Sequence, residues 1–145
     1  MNNSLSQNMK RCNHIQGEIE ATYHEAALKF GLADSTQFIL YTLCFLGEKC
    51  TPSEVVRMTG ISKQTINSAL RKLEKEGLIR LESATPKTKN IILTDAGIAL
   101  SQKTVIRLQK AEDEIFASWS EEDVQKYLEL NERFSNDLKK KVAQL

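Results

Sequence analysis

The segment between residues 51 and 94 carries helix-start and helix-stop signals so closely spaced that few folds can accommodate it. Thr51–Glu54 is a capping-box sequence, in which the threonine hydroxyl and the glutamate carboxylate each accept the other residue's backbone amide. Gly60 supplies a turn, and Ser62–Glu76 then forms a second helix with serine at its cap. Gly77 favours termination of that helix. The spacing predicts a helix-turn-helix.

Two short strand-like runs follow this pair of helices. Leu78–Glu82 is predicted to be one strand and Asn90–Leu93 its partner. Ser83–Lys89, which contains Pro86, is predicted to be the exposed tip between them. A helix-turn-helix followed by a hairpin predicts a mainly α chain with a small β-hairpin wing, a winged helix-turn-helix.

Long helices are predicted on both sides of this unit. Apolar residues at steps of three and four from about Leu5 to Phe30 indicate an amphipathic helix. Asp34, with Gln37 three residues later, is a predicted cap for an apolar helix. Thr94 is predicted to cap one long helix from Asp95 to about Trp119, and Ser120 begins a last helix.

The flanking helices have apolar stripes that the winged unit is too small to cover. A second copy of the chain would bury them. The chain is therefore predicted to be a single unit, 1–145, with the winged helix-turn-helix part at 34–94 and dimerisation helices at 1–33 and 95–145. The alternative is that the flanking helices close a monomeric bundle.

Positive charge is concentrated in the middle of the chain. The net charge is only +1, but residues 49–90 contain nine Lys and Arg against four Asp and Glu, a local balance of +5. Such a distribution indicates an anionic partner for this segment.

Polar side chains at helical spacing follow Ser62, which indicates one outward face of the second helix. Glutamine and asparagine can pair with adenine, and arginine with guanine or phosphate. The alternative is an ordinary solvated helix face. The wing lysines could contact phosphate. The candidate DNA-binding residues are Ser62, Lys63, Gln64, Thr65, Asn67, Ser68, Arg71, Lys87 and Lys89.

The order of these elements resembles the MarR family of bacterial transcriptional regulators. The residues that carry the likeness are Leu70, Leu73, Glu74, Gly77, Leu78 and Ile79, then Leu93, Thr94, Asp95 and Gly97. The resemblance implies a homodimer on a pseudo-palindromic operator, usually a repressor, that releases DNA when a phenolic or lipophilic molecule, an oxidant or a metal is sensed. The chain departs from the family at the wing, where the tip has no arginine.

A small-molecule effector would require a pocket, expected where the first two helices meet the helix after the wing. The aromatic candidates are Tyr23, Phe38, Tyr41, Phe116 and Trp119. Aromatic residues at helical spacing are more often core residues than ligand contacts, and this remains the alternative for all five.

The cysteines and histidines give no metal-binding spacing, so neither a metal nor another cofactor is expected. An odd number of cysteines without a secretory leader indicates the cytoplasm. Cys12 could sense oxidants but is more simply a small apolar residue; Cys44 is expected to be structural, and Cys50 to be more exposed. His14 and His24 are expected at the surface.

Other function classes find little support. Neither a nucleophile elbow, a phosphate-binding glycine loop nor a His-Glu-x-x-His motif is present, so no enzyme is predicted. No apolar run reaches the roughly 20 residues of a membrane span. The prediction is a sequence-specific double-stranded DNA-binding regulator, ligand- or stress-responsive; the alternative is a winged-helix module that binds protein.

Overall fold

The structure, a computed structural model, describes residues 3–47 and 49–145, with side chains from residue 7 onward. Met1, Asn2 and the Leu5 side chain, which belong to the predicted N-terminal dimerisation segment, lie outside the described residues. The elements in the described chain are α1 (Asn3–Phe30), α2 (Asp34–Leu46), α3 (Pro52–Thr59), α4 (Lys63–Lys75), β1 (Ile79–Thr85), β2 (Thr88–Leu93), α5 (Asp95–Lys103), α6 (Val105–Ser118) and α7 (Glu121–Val142).

The chain divides into two compact units, residues 1–108 and 109–145, and the division falls within α6. The mainly helical fold with a two-stranded antiparallel hairpin confirms the predicted fold class. The predicted functional boundaries, at 33/34 and 94/95, stay predictions.

The core of the first unit lies between α2, α3, α4 and the hairpin. Apolar residues recur on the inner faces of the helices. Because side chains alternate between the two faces of a strand, each strand contributes one buried residue to this core. The predicted inward residues of α4 are buried or, for Ala69, partly buried. The buried cluster comprises Ile39, Leu43, Cys50, Val55, Ile66, Leu70, Leu73, Ile79 and Ile91.

The start of α3 and the turn after it are as predicted. The Thr51 amide donates to Glu54 Oε2 at 2.7 Å, and the Glu54 amide donates to Thr51 Oγ1 at 3.3 Å. Gly60 adopts a left-handed φ of 69°, which glycine tolerates without a side-chain clash. Ser62 caps α4, where its hydroxyl accepts the Thr65 amide.

The hairpin is longer than predicted. Ile79 pairs with Leu93 and Leu81 with Ile91, and the ladder continues to a pair between Thr85 and Thr88. The expected seven-residue tip is therefore wrong, because only Pro86 and Lys87 separate the strands. The Thr88 amide donates to Thr85 Oγ1 at 3.1 Å, so a threonine side chain closes the turn and extends the pairing beyond the polar run.

Cys50 is not exposed, contrary to the expectation. It makes an isolated bridge with Ile91, whose amide donates to the Cys50 carbonyl at 2.7 Å. This bridge holds the residue against the hairpin, where it is only 2% exposed.

Asp34 does not cap α2. Ala33 occupies the cap position and no side chain bonds the free amides there. The Asp34 carboxylate instead lies 2.8 Å from His24 Nδ1, and Gln37 Nε2 donates to the Tyr23 carbonyl at 2.8 Å. Both side chains of the predicted capping pair bond to α1, which sequence spacing within α2 could not indicate.

The prediction of one continuous helix from Asp95 to about Trp119 is wrong, because Thr104 separates two helices, α5 and α6. Thr94 caps α5, with its hydroxyl accepting the Gly97 amide at 3.1 Å, as expected. The helix is interrupted at Thr104, where φ is −127° and ψ is −91°. Thr104 Oγ1 donates to the Leu100 carbonyl at 2.7 Å, a back-bond that bends helices. The Ser120 cap of α7 is present, with the Asp123 amide donating to its hydroxyl at 3.1 Å.

Candidate nucleic-acid interface

The outward surface of α4 gathers five of the nine predicted DNA-binding residues. Ile66, Leu70 and Leu73 anchor the opposite side of this helix in the core, which fixes the orientation of the polar side. The five polar residues line one shallow surface depression, called here the outer face. They are Lys63, Gln64, Asn67, Ser68 and Arg71.

Two cations of the outer face are free to bind an anion. Lys63 and Arg71 are both exposed, and neither forms an ion pair with another residue in the part of the chain that the structure describes. An arginine without a carboxylate partner can direct its planar set of donors to a guanine edge or a phosphate.

The remaining predicted residues of α4 lie at its beginning. Ser62 Oγ donates to Thr65 Oγ1 at 2.9 Å, so the two side chains are bonded to each other. Thr65 also lines a cavity on the inner side of the helix. The structure thus groups these two residues with the helix cap, outside the five-residue depression.

The wing places its two lysines at the end of the hairpin. Lys87 lies in the two-residue tip, and Lys89 lies on β2, where it pairs with Ser83 of β1. Both side chains are exposed and, among the described residues, take part in no ion pair. Arg80 is less available, because its guanidinium lies 3.0 Å from the Glu82 carboxylate.

A cavity of about 560 Å³ lies on the other side of α4. Its walls come from α1, α2, the turn before α4, α4 itself and Leu108. Of the five predicted aromatic residues, Tyr23, Phe38 and Tyr41 line it. This volume falls in the ordinary range for small-molecule sites.

The other two predicted pocket residues, Phe116 and Trp119, belong to the second unit. Phe116, Trp119 and Tyr127 form an aromatic cluster, with ring centroids 5.4 Å apart between Phe116 and Trp119 and 5.5 Å apart between Trp119 and Tyr127. The structure does not place Phe116 or Trp119 among the cavity residues that it describes.

Sequence reasoning missed the polar residues of the cavity. Glu20, His24, Asp34 and Gln37 all line it. The spacing of Asp34 and Gln37 predicts a helix cap, and only the packing of α2 on α1 brings the two residues beside His24. Gln37 is 6% exposed, and its Oε1 atom has no hydrogen-bond partner among the residues that the structure describes.

Two of the three cysteines are held as neutral thiols, while oxidant sensing by Cys12 stays a prediction. Burial first, and then the charge of Glu54, raise the pKa of the Cys50 thiol to about 11. Burial also raises the pKa of Cys44, and the neighbouring Ser101 side chain lowers it in part. Thiolates are the reactive form of cysteine, so both residues are poor candidates for oxidant sensing. The described residues contain no cluster of three or more potential metal ligands.

Residues 30–87 match the family model described as the MarR family. They contain α2, α3, α4, β1 and the two-residue tip of the hairpin. The resemblance inferred from the sequence is thereby confirmed for these residues, and the outer face lies on α4, within them.

The MarR fold extends over the rest of the chain. The structure matches a MarR family regulator from Neisseria meningitidis over 99% of each chain, with a TM-score of 0.81 and 20% identity. It matches S. aureus MepR, solved as a complex with DNA, over 89% of this chain and 96% of that one, with a TM-score of 0.67 and 21% identity.

A third similar structure holds a small molecule. It is the organohalide-sensing transcriptional regulator RdhR with 2,4-dichlorophenol bound, matched over 90% of this chain and 79% of that one, with a TM-score of 0.67 and 17% identity. These identities establish a shared fold. No curated protein sequence matches the chain significantly. Within its described residues, none of the MarR-like helices combines the length and hydropathy needed to cross a membrane.

Proposed function

We propose that this protein is a sequence-specific double-stranded DNA-binding transcriptional regulator that acts as a homodimer on a pseudo-palindromic operator. It is a repressor whose DNA affinity is lowered by a small-molecule effector, and it works in the cytoplasm. The observation that carries the proposal is the outer face of α4, where five polar or basic side chains share one exposed depression.

The chemistry of the outer face suits a DNA groove. Gln64 and Asn67 offer the paired donor and acceptor that adenine requires, while Arg71 and Lys63 offer cations. The wing adds Lys87 and Lys89, whose compact charges suit phosphate contacts more than minor-groove reading. The structure of MepR with DNA supports this use of the fold.

Exposed apolar side chains support the homodimer. In α7, a helix of 22 residues, none is buried, although Phe134, Leu138 and Val142 are 52%, 51% and 56% exposed. In α1, Met9 and Ile19 are also nearly half exposed. Apolar stripes of this length are unfavourable in water, and pairing with a second copy would remove them from it. A two-fold dimer would present two recognition helices about one turn of DNA apart, roughly 34 Å.

The cavity supports effector control, because α4 forms part of its wall. Thr65, Ile66 and Ala69 face the cavity, whereas the outer face begins at Lys63 and ends at Arg71 of the same helix. A ligand that favours one position of this helix would change the population able to bind DNA. RdhR with bound 2,4-dichlorophenol shows that a protein of this fold accommodates a small aromatic molecule.

The test of DNA binding is a titration of labelled operator duplex, selected from the genome of the source organism, at two salt concentrations. We expect the affinity to fall as salt rises, since cationic side chains displace counterions from the phosphates. We expect Arg71→Ala to lose about 1–3 kcal/mol of binding free energy, roughly 5- to 150-fold in affinity.

The matched control is Arg11→Ala, which removes an exposed arginine of α1 outside the outer face. It is expected to bind the operator as the unaltered protein does. Equal affinities for the two variants, with both folded by circular dichroism, would remove Arg71 from the interface. A duplex affinity that does not change with salt would favour the protein-binding alternative.

A further inference from the structure

We propose that the cavity beside α4 is selective for lipophilic amines, molecules that join an aromatic or aliphatic body to a protonated nitrogen, and that it rejects carboxylates of the same shape. This inference rests on the effector part of the proposed function and names its ligand class.

Among the described residues, the cavity lining includes a buried hydrogen-bond acceptor that lacks a donor. Gln37 is nine-tenths buried, and its orientation is set because Nε2 donates to the Tyr23 carbonyl at 2.8 Å. Oε1 is therefore the end of the amide left without a partner, in a residue that lines the cavity. A buried acceptor without a donor is costly, and a ligand N–H group would satisfy it.

The charged side chains that line the cavity are mainly acidic. Two carboxylates, Glu20 and Asp34, lie among the lining residues, which include neither lysine nor arginine. His24 bonds to Asp34 at 2.8 Å, so a protonated His24 would neutralise only that carboxylate. Glu20 forms no ion pair with any described residue. The lining thus holds at least one uncompensated negative charge, which attracts a cation and repels an anion.

The rest of the cavity wall consists largely of aromatic and aliphatic side chains. Tyr23, Phe38 and Tyr41 supply aromatic rings, and Ile39, Ile66 and Leu108 supply aliphatic surface. Aromatic faces attract ammonium groups as well as other rings. The volume of about 560 Å³ accommodates a ligand with two fused rings. A carboxylate placed there would lose its hydration without finding a cation, which is strongly unfavourable.

The test compares three probes with the same ring system: 1-naphthylmethylamine, 1-naphthylmethanol and 1-naphthoate. Dissociation constants are measured at pH 7 by isothermal titration calorimetry on the full chain without DNA. We expect the amine to bind about tenfold more tightly than the carboxylate, with the alcohol between them, since a charged donor strengthens a hydrogen bond. Equal or tighter binding of 1-naphthoate, or no binding of the amine, would overturn the proposal.

Substitutions assign the selectivity to this cavity. Glu20→Gln is expected to weaken amine binding about twofold to fivefold and to leave the alcohol unchanged, because the side chain is exposed and its charge is partly screened. Gln37→Met is expected to weaken both the amine and the alcohol.

Glu18→Gln is the matched control, because Glu18 lies on the same helix, pairs with His14 and does not line the cavity. An equal effect of Glu18→Gln and Glu20→Gln on the amine would contradict the assigned site. The operator titration is run separately on the unaltered protein. Loss of amine selectivity with DNA binding intact therefore refutes only the ligand class, whereas absent DNA binding refutes the proposed function.

Discussion

Gly97 shows at the scale of one residue why a small side chain is required after the wing. A methyl group built on Gly97 would overlap the Leu78 carbonyl oxygen. The same carbonyl accepts the Thr94 amide at 3.1 Å, and Thr94 Oγ1 donates to the Gly77 carbonyl at 2.6 Å. The Leu-Thr-Asp-x-Gly sequence therefore fastens the start of α5 to the residues that end α4.

We expect Gly97→Ala to lower the free energy of unfolding by about 1–3 kcal/mol, because the backbone of Leu78 must move to admit the methyl group. The measurement is urea denaturation followed by circular dichroism. The control is Gly17→Ala within α1, where no atom approaches the added carbon. That variant is expected to gain about 0.5–1 kcal/mol from reduced backbone freedom in the unfolded chain. An unaltered stability of Gly97→Ala would refute the close approach.

Cys50 makes stability depend on pH in the alkaline range. Its folded-state pKa is raised from 9.0 to about 11, so ionisation favours the unfolded chain, whose thiol titrates first. We therefore expect its contribution to stability to be complete below pH 9 and to be lost as the pH rises toward 11. The measurement is the difference in unfolding free energy between pH 8 and pH 10.5.

Cys50→Ala isolates this effect from other groups that titrate in alkali. Its loss of stability between the two pH values is expected to be smaller than that of the unaltered protein. Identical losses would show that the thiol is not held in its neutral form.

At the scale of elements, α3 depends on its first residue. Thr51→Ala removes the hydroxyl that accepts the Glu54 amide and is expected to cost about 1 kcal/mol of stability. Ser53→Ala serves as the control, because Ser53 is exposed in the same turn and is not the cap residue. Thermal denaturation of both variants gives the comparison, and equal melting temperatures would contradict a stabilising cap.

Helix α4 joins two surfaces in one element. Its inner residues contribute both to the core and to the wall of the cavity, and its outer residues form the outer face. Because a packed helix moves as a unit, a ligand that displaced Ile66 or Ala69 would also displace Asn67 and Arg71. This shared helix is the physical link between the proposed effector and the proposed DNA contact.

At the scale of the whole molecule, the apolar stripe of α7 predicts the oligomeric state. We expect size-exclusion chromatography with light scattering to give a molecular mass of about twice the 16.4 kDa of one chain. Leu138→Glu is expected to shift the measured mass toward that of a single chain. Burying a charged side chain in an apolar interface has a large unfavourable desolvation free energy.

Gln125→Glu is the matched control, since it adds the same charge to the polar side of α7. It is expected to remain dimeric. A single-chain mass for the unaltered protein at micromolar concentration would refute the dimer and, with it, the paired recognition helices.

The sequence alone determined the features that depend on neighbours along the chain. The Thr51 capping box, the serine and threonine caps of α4, α5 and α7, and the inward face of α4 all follow from spacings of three or four residues. The five residues of the outer face follow from the same period, since the buried side of a helix fixes its exposed side.

Only the tertiary structure decided features that arise between elements distant in sequence. Asp34 and Gln37 bond to α1 because α2 packs there, and Cys50 is buried because a bridge reaches Ile91 across 41 positions of the chain. The cavity with its unsatisfied Gln37 oxygen belongs to this second group. Helix caps and helix faces depend on residues that are neighbours along the chain. The contacts of a side chain with other elements depend on which surfaces pack together when the core forms.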